Sequence, residues 1–438
     1  MGKDIAHSVR EAAVRIIGDI SQVAPIEIRQ NSLIETFEDF YNDSHKKVKK
    51  AALMQLGQFI YSLKGSKIPK SLLNFYASLA DQSKTEDEDL MYHCAYTFPA
   101  VLQAVGKKEW PSLKPIYHNL IKKNKPQISK TMAAYIHEIA KIVGTKITTA
   151  ELTEVLKEYL KNEETKTIVL THLHDFFRVL DPNQRLNYLP YMKSIIEESK
   201  FAWRQREIFA YNAHEYAKLF DIKTLHNEIM PIVYKLLKDD VYQVRNQACR
   251  NFYNVVIQLK SKDFKKAIEF VLKLFVSESY YDRQSFIKIC EGFMHNQELF
   301  HKYFLTQFLT LQRDKILNVR LTLAKVLHSH MKSSGLLVTN IHIGRTIELL
   351  KNDLSKEVRE CINKASKEWN KMEEIERERQ EELESAQEIV AGTIGGNSSF
   401  TSDEESTEEL LRLEAIKVLK ETIKVDELDV KTELPNSL

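Results

Sequence analysis

One short motif recurs along the chain: an Asp, four further residues, then Val followed by Arg or Lys. Its five copies are Asp4/Val9/Arg10, Asp43/Val48/Lys49, Asp239/Val244/Arg245, Asp314/Val319/Arg320 and Asp353/Val358/Arg359. The basic residue recurs after 39 residues in both the first two and the last two copies. A period of about 40 residues constrains the fold strongly, because each unit then buries its apolar face only against its neighbours.

Weaker copies fill the gaps between the five motifs. Aligned on the basic residue, they complete a series with steps of 37 to 42 residues: Arg10, Lys49, Met91, Ser129, Lys166, Arg206, Arg245, Arg283, Arg320 and Arg359. Each unit contains two segments with helical spacing of apolar residues, and only 12 Gly and 10 Pro interrupt the whole chain. The sequence therefore predicts an all-α fold, an α-α superhelix (HEAT-repeat solenoid) of about ten helical pairs.

The acid and the base of the motif have a structural interpretation. An Asp near the start of a helix can accept free backbone N–H groups at the positive end of the helix dipole. The basic residue points off the apolar stripe and can reach the Asp of an adjacent turn. We therefore expect a structural ladder between repeats, formed by Asp4, Arg10, Asp43, Lys49, Asp239, Arg245, Arg283, Asp314, Arg320, Asp353 and Arg359.

Charge divides the chain into three regions. Residues 1–372 are the predicted solenoid, 373–390 a charged helical extension, and 391–438 an acidic, largely disordered tail. Segment 373–409 contains 13 acidic and 2 basic residues, which leaves the body 1–372 at about +14 while the whole chain carries +2. Such a basic body could hold an acidic protein, nucleic acid or its own acidic tail.

The sequence contains no enzyme signature. A Gly-rich phosphate loop, a GxSxG motif and an HExxH motif are all missing from it. His172 and His174, like His328 and His330, are two residues apart and would face away from each other on a helix. We therefore predict a protein that is not an enzyme, with no catalytic, cofactor-binding or metal-binding residues.

The cysteines and the hydropathy pattern bear on the compartment. The four cysteines form no CxxC pair and lie in predicted helices, which is typical of buried thiols in a reducing compartment. The chain shows no secretory signal and no apolar run of about 18 residues. We expect a cytoplasmic location, with the nucleus as a second one, and no membrane partner.

A resemblance to a known family rests on the segment Asp282–Met331. It contains DRQSFIKICEGF and then FLTQFLTLQRDKILNVRLTLAKVL. This sequence resembles the HEAT-repeat scaffolding subunit of protein phosphatase 2A and, more closely, regulatory subunit 1 of protein phosphatase 4. The resemblance is best over 200–362. The resemblance implies a non-catalytic scaffold or regulatory subunit of a Ser/Thr protein phosphatase. Its partners would be the catalytic subunit, which it would bind, together with a further regulatory subunit or a substrate, which it would orient.

In that family the turns between the two helices of a repeat form a ridge that holds the catalytic subunit. The corresponding turns here carry large side chains, where small polar ones are usual. Aromatic residues and Arg are common interface anchors, although each could also pack on its neighbouring turn. The predicted partner-binding residues are Trp203, Arg204, Tyr242, Tyr280, Tyr281, Ile316 and Leu317.

A second class of function stays open at this point. The basic body also suits a HEAT-repeat adaptor of another kind, such as a transport receptor or a nucleic-acid-associated scaffold. Nucleic acid is the less favoured partner, because a helical-repeat RNA reader repeats its base-contacting side chains, whereas here only the motif residues repeat.

Overall fold

The computed structural model describes residues 2–81, 87–122, 125–197, 202–333 and 341–364. The predicted extension 373–390 and tail 391–438 lie outside these residues, as do 365–372. Residues Met1–Asn363 belong to one compact unit. The described ranges contain helices and turns and no β-strand, so the predicted all-α superhelix is confirmed. In the same ranges, no helix is both long enough and apolar enough to span a membrane.

The helices alternate between two layers along the chain. The second helices of the repeats are α1 (His7–Arg15), α2 (Lys46–Ser62), α3 (Glu88–Val105), α4 (Pro126–Val143), α5 (Glu163–Thr171), α6 (Leu173–Val179), α7 (Trp203–Leu219), α8 (Tyr242–Val256), α9 (Tyr280–Phe293), α10 (Leu317–Ser333) and α11 (356–364). Helix α1 continues after a break as Ile17–Val23, and α5 and α6 together form one broken second helix.

The first helices are less regular. They comprise Ile26–Ile28 with Ile34–Tyr41, Lys70–Ala80, Trp110–Lys122, Thr145–Ile147 with Thr153–Lys161, Pro182–Arg185 with Leu189–Glu197, Ile222–Thr224 with Met230–Leu236, Ser261–Phe275, Gln297–Tyr303 with Leu305–Thr310, and Ile341–Lys351. π-Helical turns join the pieces of three of them, at Arg29–Leu33, Thr148–Leu152 and Leu225–Ile229. A π-turn accommodates one extra residue in a helix, so these first helices vary in length while the repeat continues.

Packing follows the apolar stripes. Consecutive second helices contact each other, as α2 contacts α3 and α8 contacts α9, and first helices such as Lys70–Ala80 and Ser261–Phe275 pack against the second helix of their own pair. In α8 the buried residues Val244, Ala248, Phe252 and Val255 recur every three or four positions. This spacing places them along one face, which is why the helix needs neighbouring repeats to cover it.

Glycines end two of the second helices. Gly106 and Gly144 follow α3 and α4 with φ of 82°, and their N–H groups donate to the carbonyls of Leu102 and Ala140. Residues other than glycine rarely adopt this left-handed backbone conformation, so a glycine at this position ends the helix. The next first helix can then turn back along the stack.

Candidate functional site

A ladder of ion pairs connects the turns that precede the second helices. Four arginines each donate two hydrogen bonds to an aspartate of the next turn, from Nε at 2.6–2.7 Å and from Nη2 at 2.9–3.1 Å. These side chains are 6–15% exposed. The planar fork of arginine matches both carboxylate oxygens, so each pair fixes distance and orientation. The rungs are Arg10–Asp43, Arg206–Asp239, Arg283–Asp314 and Arg320–Asp353.

The Arg283–Asp314 rung also closes the turns on its two sides. Arg283 donates from Nη1 to the carbonyls of Ser277 at 2.7 Å and Glu278 at 2.9 Å in its own turn. Oδ1 of Asp314 accepts the N–H of Ile316 at 2.8 Å. The expected capping role of the Asp is thus corrected: its oxygen binds the N–H of the residue just before the helix, which closes the turn rather than the helix end.

The ion pairs keep both partners charged. The hydrogen bond from Arg10 holds the pKa of Asp43 below its usual value, and the same bond raises the pKa of Arg10. Burial acts to raise the pKa of Asp353, but the hydrogen bonds from Arg320 and from the N–H of Ser355 outweigh it and lower that pKa. At neutral pH the Arg10–Asp43 and Arg320–Asp353 rungs are therefore charge-assisted hydrogen bonds.

The ladder differs from the sequence expectation at its second position. Lys49 is exposed, and Lys50 makes the contact instead, with Nζ 2.7 Å from Asp87 and 3.3 Å from Asp89. Asp87 is the cap residue of α3, whereas the motif acids lie two residues before the cap. Asp87 therefore stands two residues later than a motif acid would, relative to the start of its helix. Its carboxylate pairs with the long side chain of Lys50, the residue after the motif position Lys49.

Three further predicted ladder residues make contacts within their own turn but no ion pair to a neighbouring turn in the described residues. Arg245 and Arg359 hold the two carbonyls of their own turns, and Asp4 accepts the N–H of Ala6. The turn that would follow Arg359 lies outside the described residues. Arg245 pairs with no carboxylate in the described part of the chain. Arg206, which the motif search found only as a weak copy, makes a full rung.

The predicted partner-binding side chains all lie where second helices begin, and we call this set the turn row: Trp203, Arg204, Tyr242, Tyr280, Tyr281, Ile316 and Leu317. Tyr242 is 55% exposed and Tyr281 48%. The guanidinium of Arg204 lies 4.6 Å from the ring centre of Trp203. The Tyr280 and Tyr281 ring centroids are 4.0 Å apart. Neighbours within a turn therefore pack together and still present aromatic surface outward, and their role in binding stays a prediction.

A histidine cluster joins α4 to the break between α5 and α6. The rings of His137 and His172 stack with centroids 4.2 Å apart and planes 11° from parallel, and Asp175 lies beside them. A metal ion lies in the plane of each imidazole that binds it, and nearly parallel planes do not meet at one ion. The arrangement does not fit a metal. Burial, followed by the neighbouring His172, lowers the pKa of His137.

The buried cysteines have the properties of core residues. Burial raises the pKa of the Cys249 thiol to about 12 and also raises that of Cys290. A thiol reacts as its thiolate, so neither group is suited to nucleophilic chemistry at neutral pH.

Comparison with known proteins connects this geometry to a group of phosphatase subunits. Residues 94–195 match the family model "Protein phosphatase 4 regulatory subunit 1 middle domain", and 229–259 match the HEAT repeat. Regulatory subunit 1 of Ser/Thr-protein phosphatase 4 from Rattus norvegicus is 28% identical over 277 residues, and the Homo sapiens protein is 28% identical over 273. Each alignment covers 59% of this chain and 29% of the relative.

A second subunit type and two solved structures also match. Regulatory subunit 4 of phosphatase 4 from Mus musculus is 22% identical over 435 residues, which covers 85% of this chain and 48% of that protein. Structures of Kap121p and of importin beta superpose with TM-scores of 0.52 and 0.51 at 12% identity. They cover 83% of this chain and 40% and 50% of theirs. At that identity they show the solenoid fold alone.

The resemblance was expected to be best over 200–362, but the family-model match to regulatory subunit 1, at 94–195, lies entirely before that region, so the likeness is not confined to the later repeats. The chain spans less than a third of the length of the regulatory subunit 1 proteins that it matches. The chain is a HEAT-repeat protein that resembles regulatory subunit 1 of protein phosphatase 4.

Proposed function

We propose that the chain is a non-catalytic regulatory or scaffold subunit of a Ser/Thr protein phosphatase of the phosphatase 4 type. The observation that carries this proposal is the match of 94–195 to the regulatory subunit 1 middle domain. Those residues include most of α3, all of α4 to α6 and the first helices that pack on them. In this proposal the protein works in the cytoplasm, with the nucleus as a second location.

The turn row is the surface that we propose for the catalytic subunit. The ladder supports this choice, because the Arg206–Asp239 and Arg283–Asp314 rungs each fix one turn of the row against the next and so set the spacing between their exposed side chains. Large, partly exposed residues held in a fixed row bind with little loss of conformational freedom. Other turns and the rest of the surface would remain open to substrates or a further subunit.

Recovery of partners from the protein's own cells tests the proposal. The tagged full chain is purified under mild conditions and its bound proteins are identified by mass spectrometry. We expect a phosphatase catalytic subunit of the phosphatase 4 type among them, in an amount comparable with the bait. The absence of every phosphatase catalytic subunit would contradict the proposal.

Surface variants locate the contact. Trp203→Ala/Arg204→Ala and Tyr242→Ala/Tyr281→Ala each remove exposed anchor side chains, and we expect the recovered catalytic subunit to fall by about tenfold or more. Tyr211→Ala is the matched control, since Tyr211 is 61% exposed on α7 but lies away from the turn. If the control lowers recovery as much as the turn variants do, the turn row is not the binding surface.

The positive charge of the body favours a second candidate function, an adaptor for a polyanion. Residues 1–372 carry about +14. A protein that neutralises several phosphates loses nucleic-acid affinity steeply as salt rises. Binding of the full chain to labelled RNA and DNA at low and high salt decides the question, and no binding at low salt removes nucleic acid as the partner.

A further inference from the structure

Within the described residues, the ladder has no Arg–Asp rung between the turns before α8 and α9, and the reason lies in the sequence of the turn before α9. In the five motif copies an Asp stands six residues before the basic residue and a Val directly before it. Here Ser277 and Asp282 occupy those two positions. Oγ of Ser277 donates to Asp282 Oδ2 at 2.8 Å, and Nζ of Lys238 lies 3.3 Å from the same oxygen. The acid of this turn is therefore turned to other partners, and Arg245 has no carboxylate to pair with.

Arg245 is nevertheless held in the conformation of a rung arginine. Its Nη1 donates to the carbonyls of Asp239 at 2.5 Å and Asp240 at 2.9 Å, as in the occupied rungs. One face of its guanidinium lies 4.8 Å from the ring centre of Tyr281. The residue is 7% exposed. Its Nε and Nη2 atoms, which bind the Asp in the four rungs, have no protein acceptor among the described residues.

The side chain of Arg245 lines a cleft between α8, α9 and α10, which we call the Arg245 cleft. Its volume is about 260 Å³, enough for one or two side chains. Tyr242 and Tyr281 also line it, and Lys325 supplies a second positive charge. Asn246 contributes Oδ1, which is buried and has no hydrogen-bond partner.

On the far wall of the cleft, polar side chains already have hydrogen-bond or ion-pair partners within the protein. Nε2 of Gln284 on α9 donates to the carbonyl of Asn318 at 3.0 Å and to Oγ1 of Thr322 at 2.9 Å, both on α10. Lys288 is 3.0 Å from Glu291 and is neutralised by it. The groups that remain for a ligand are the guanidinium edge of Arg245, the amine of Lys325, the amide oxygen of Asn246 and two tyrosine rings.

We infer that the Arg245 cleft binds an acidic side chain of a partner protein, whose carboxylate takes against Arg245 the place that Asp314 takes against Arg283. The four occupied rungs show which group this arginine fork accepts in this environment. The tyrosine rings pack on the neighbouring residues of the partner, and Asn246 accepts a backbone N–H from it. The +14 body draws in an acidic segment. The inference does not depend on the phosphatase assignment.

Fluorescence anisotropy of the full chain with a labelled peptide of alternating Glu and Gly tests the inference. The matched probe has Gln in place of Glu, and a third probe has phosphoserine at the same positions. We expect the Glu peptide to bind at least about tenfold more tightly than the Gln peptide at low salt, since bonds between charged groups are worth more than neutral ones. Binding of the phosphoserine probe alone would overturn the choice of a carboxylate.

Two variants assign the binding to the missing rung. Arg245→Gln removes the fork. Ser277→Asp/Asp282→Val creates the Asp-x4-Val-Arg motif in this turn, so that an internal Asp fills the rung without any change in net charge. We expect each to weaken Glu-peptide binding by about tenfold or more. Lys265→Gln, which removes an exposed charge elsewhere, should change it by less than about twofold.

The double variant keeps the test decisive if Arg245→Gln fails to fold, because filling the rung should leave the fold intact or strengthen it. Glu-peptide binding by Ser277→Asp/Asp282→Val at the wild-type level would overturn the inference. An equal loss of affinity in Lys265→Gln would overturn it as well, since binding would then follow overall charge.

Discussion

The Arg283–Asp314 rung allows a quantitative test of the ladder. Replacing Asp314 with Ala removes the two hydrogen bonds from Arg283, at 2.6 and 3.1 Å, and the turn bond from the N–H of Ile316. Arg283, which is 8% exposed in the intact rung, would then have an unpaired edge of its guanidinium. The perturbation is thus the removal of one partner from a nearly buried ion pair, and not the loss of an exposed contact.

The expected magnitude follows from this burial. Breaking a buried pair by removing one member costs about 3–5 kcal/mol, whereas exposed pairs contribute at most about 1 kcal/mol. The side chains of the pair are still 9% and 6% exposed, so water can approach the freed guanidinium. We therefore expect Asp314→Ala to lower the free energy of unfolding by about 3 kcal/mol, which is the lower end of the range for buried pairs.

A double-mutant cycle separates the pair from the other contacts of each residue. Arg283→Met also removes the bonds to the carbonyls of Ser277 and Glu278, but these are present with or without Asp314 and cancel in the cycle. Because long repeat arrays do not unfold in one step, the free energy of local opening is measured by hydrogen exchange of amides in α9 and α10. We expect a coupling of about 2 kcal/mol or more, and a value below about 0.5 kcal/mol would refute the ladder as a stabilising device.

Two other outcomes follow from the packing. Gly57→Ala should destabilise the protein by about 1–3 kcal/mol, because the new Cβ would lie 2.2 Å from Oγ1 of Thr97 on the next second helix. Gly344→Ala should stabilise it by up to about 1 kcal/mol, because the new Cβ would meet nothing within 4 Å. Thermal denaturation of the two variants compares these effects. For pH, the lowered pKa of His137 means that the native state binds fewer protons than the unfolded state. Its contribution to stability is complete above the usual value of 6.5 and is lost as pH falls through the lowered pKa. The melting temperature should therefore fall between about pH 7.5 and about pH 5.5, and fall less in His137→Phe; equal falls in both proteins would contradict this explanation.

The recurring motif predicted the fold because a period of fixed length already implies a stack. It also identified the partners of Arg10 and Arg320, since the acid and the base stand at constant positions in consecutive turns. It failed at Lys49, because an acid displaced by two residues selects the next lysine along the helix. Such a shift depends on where the helix begins, which periodicity does not define to within a residue.

The weaker copies show the opposite error. Arg206 lacks the surrounding motif and still makes a full rung, because Asp239 of the next turn, and not its own turn, supplies the acid. Arg245 has the complete motif and makes none, because Ser277 stands in the following turn. Reading each arginine with the acid of the next repeat would have found both. The break at His172 and its stacking on His137 carried no recognisable sequence signal.

The rungs give the array a direction, since the arginine of each rung pairs with an aspartate in the turn of the following repeat. Cutting the chain just before residue 314 would leave Arg283 without its carboxylate but still bound to two carbonyls of its own turn. Starting the chain after residue 283 would strip Asp314 of its cation and leave it only one backbone N–H. Fragments that retain the early repeats should therefore be better behaved than fragments that retain the late ones, and deletion series from the two termini are not interchangeable.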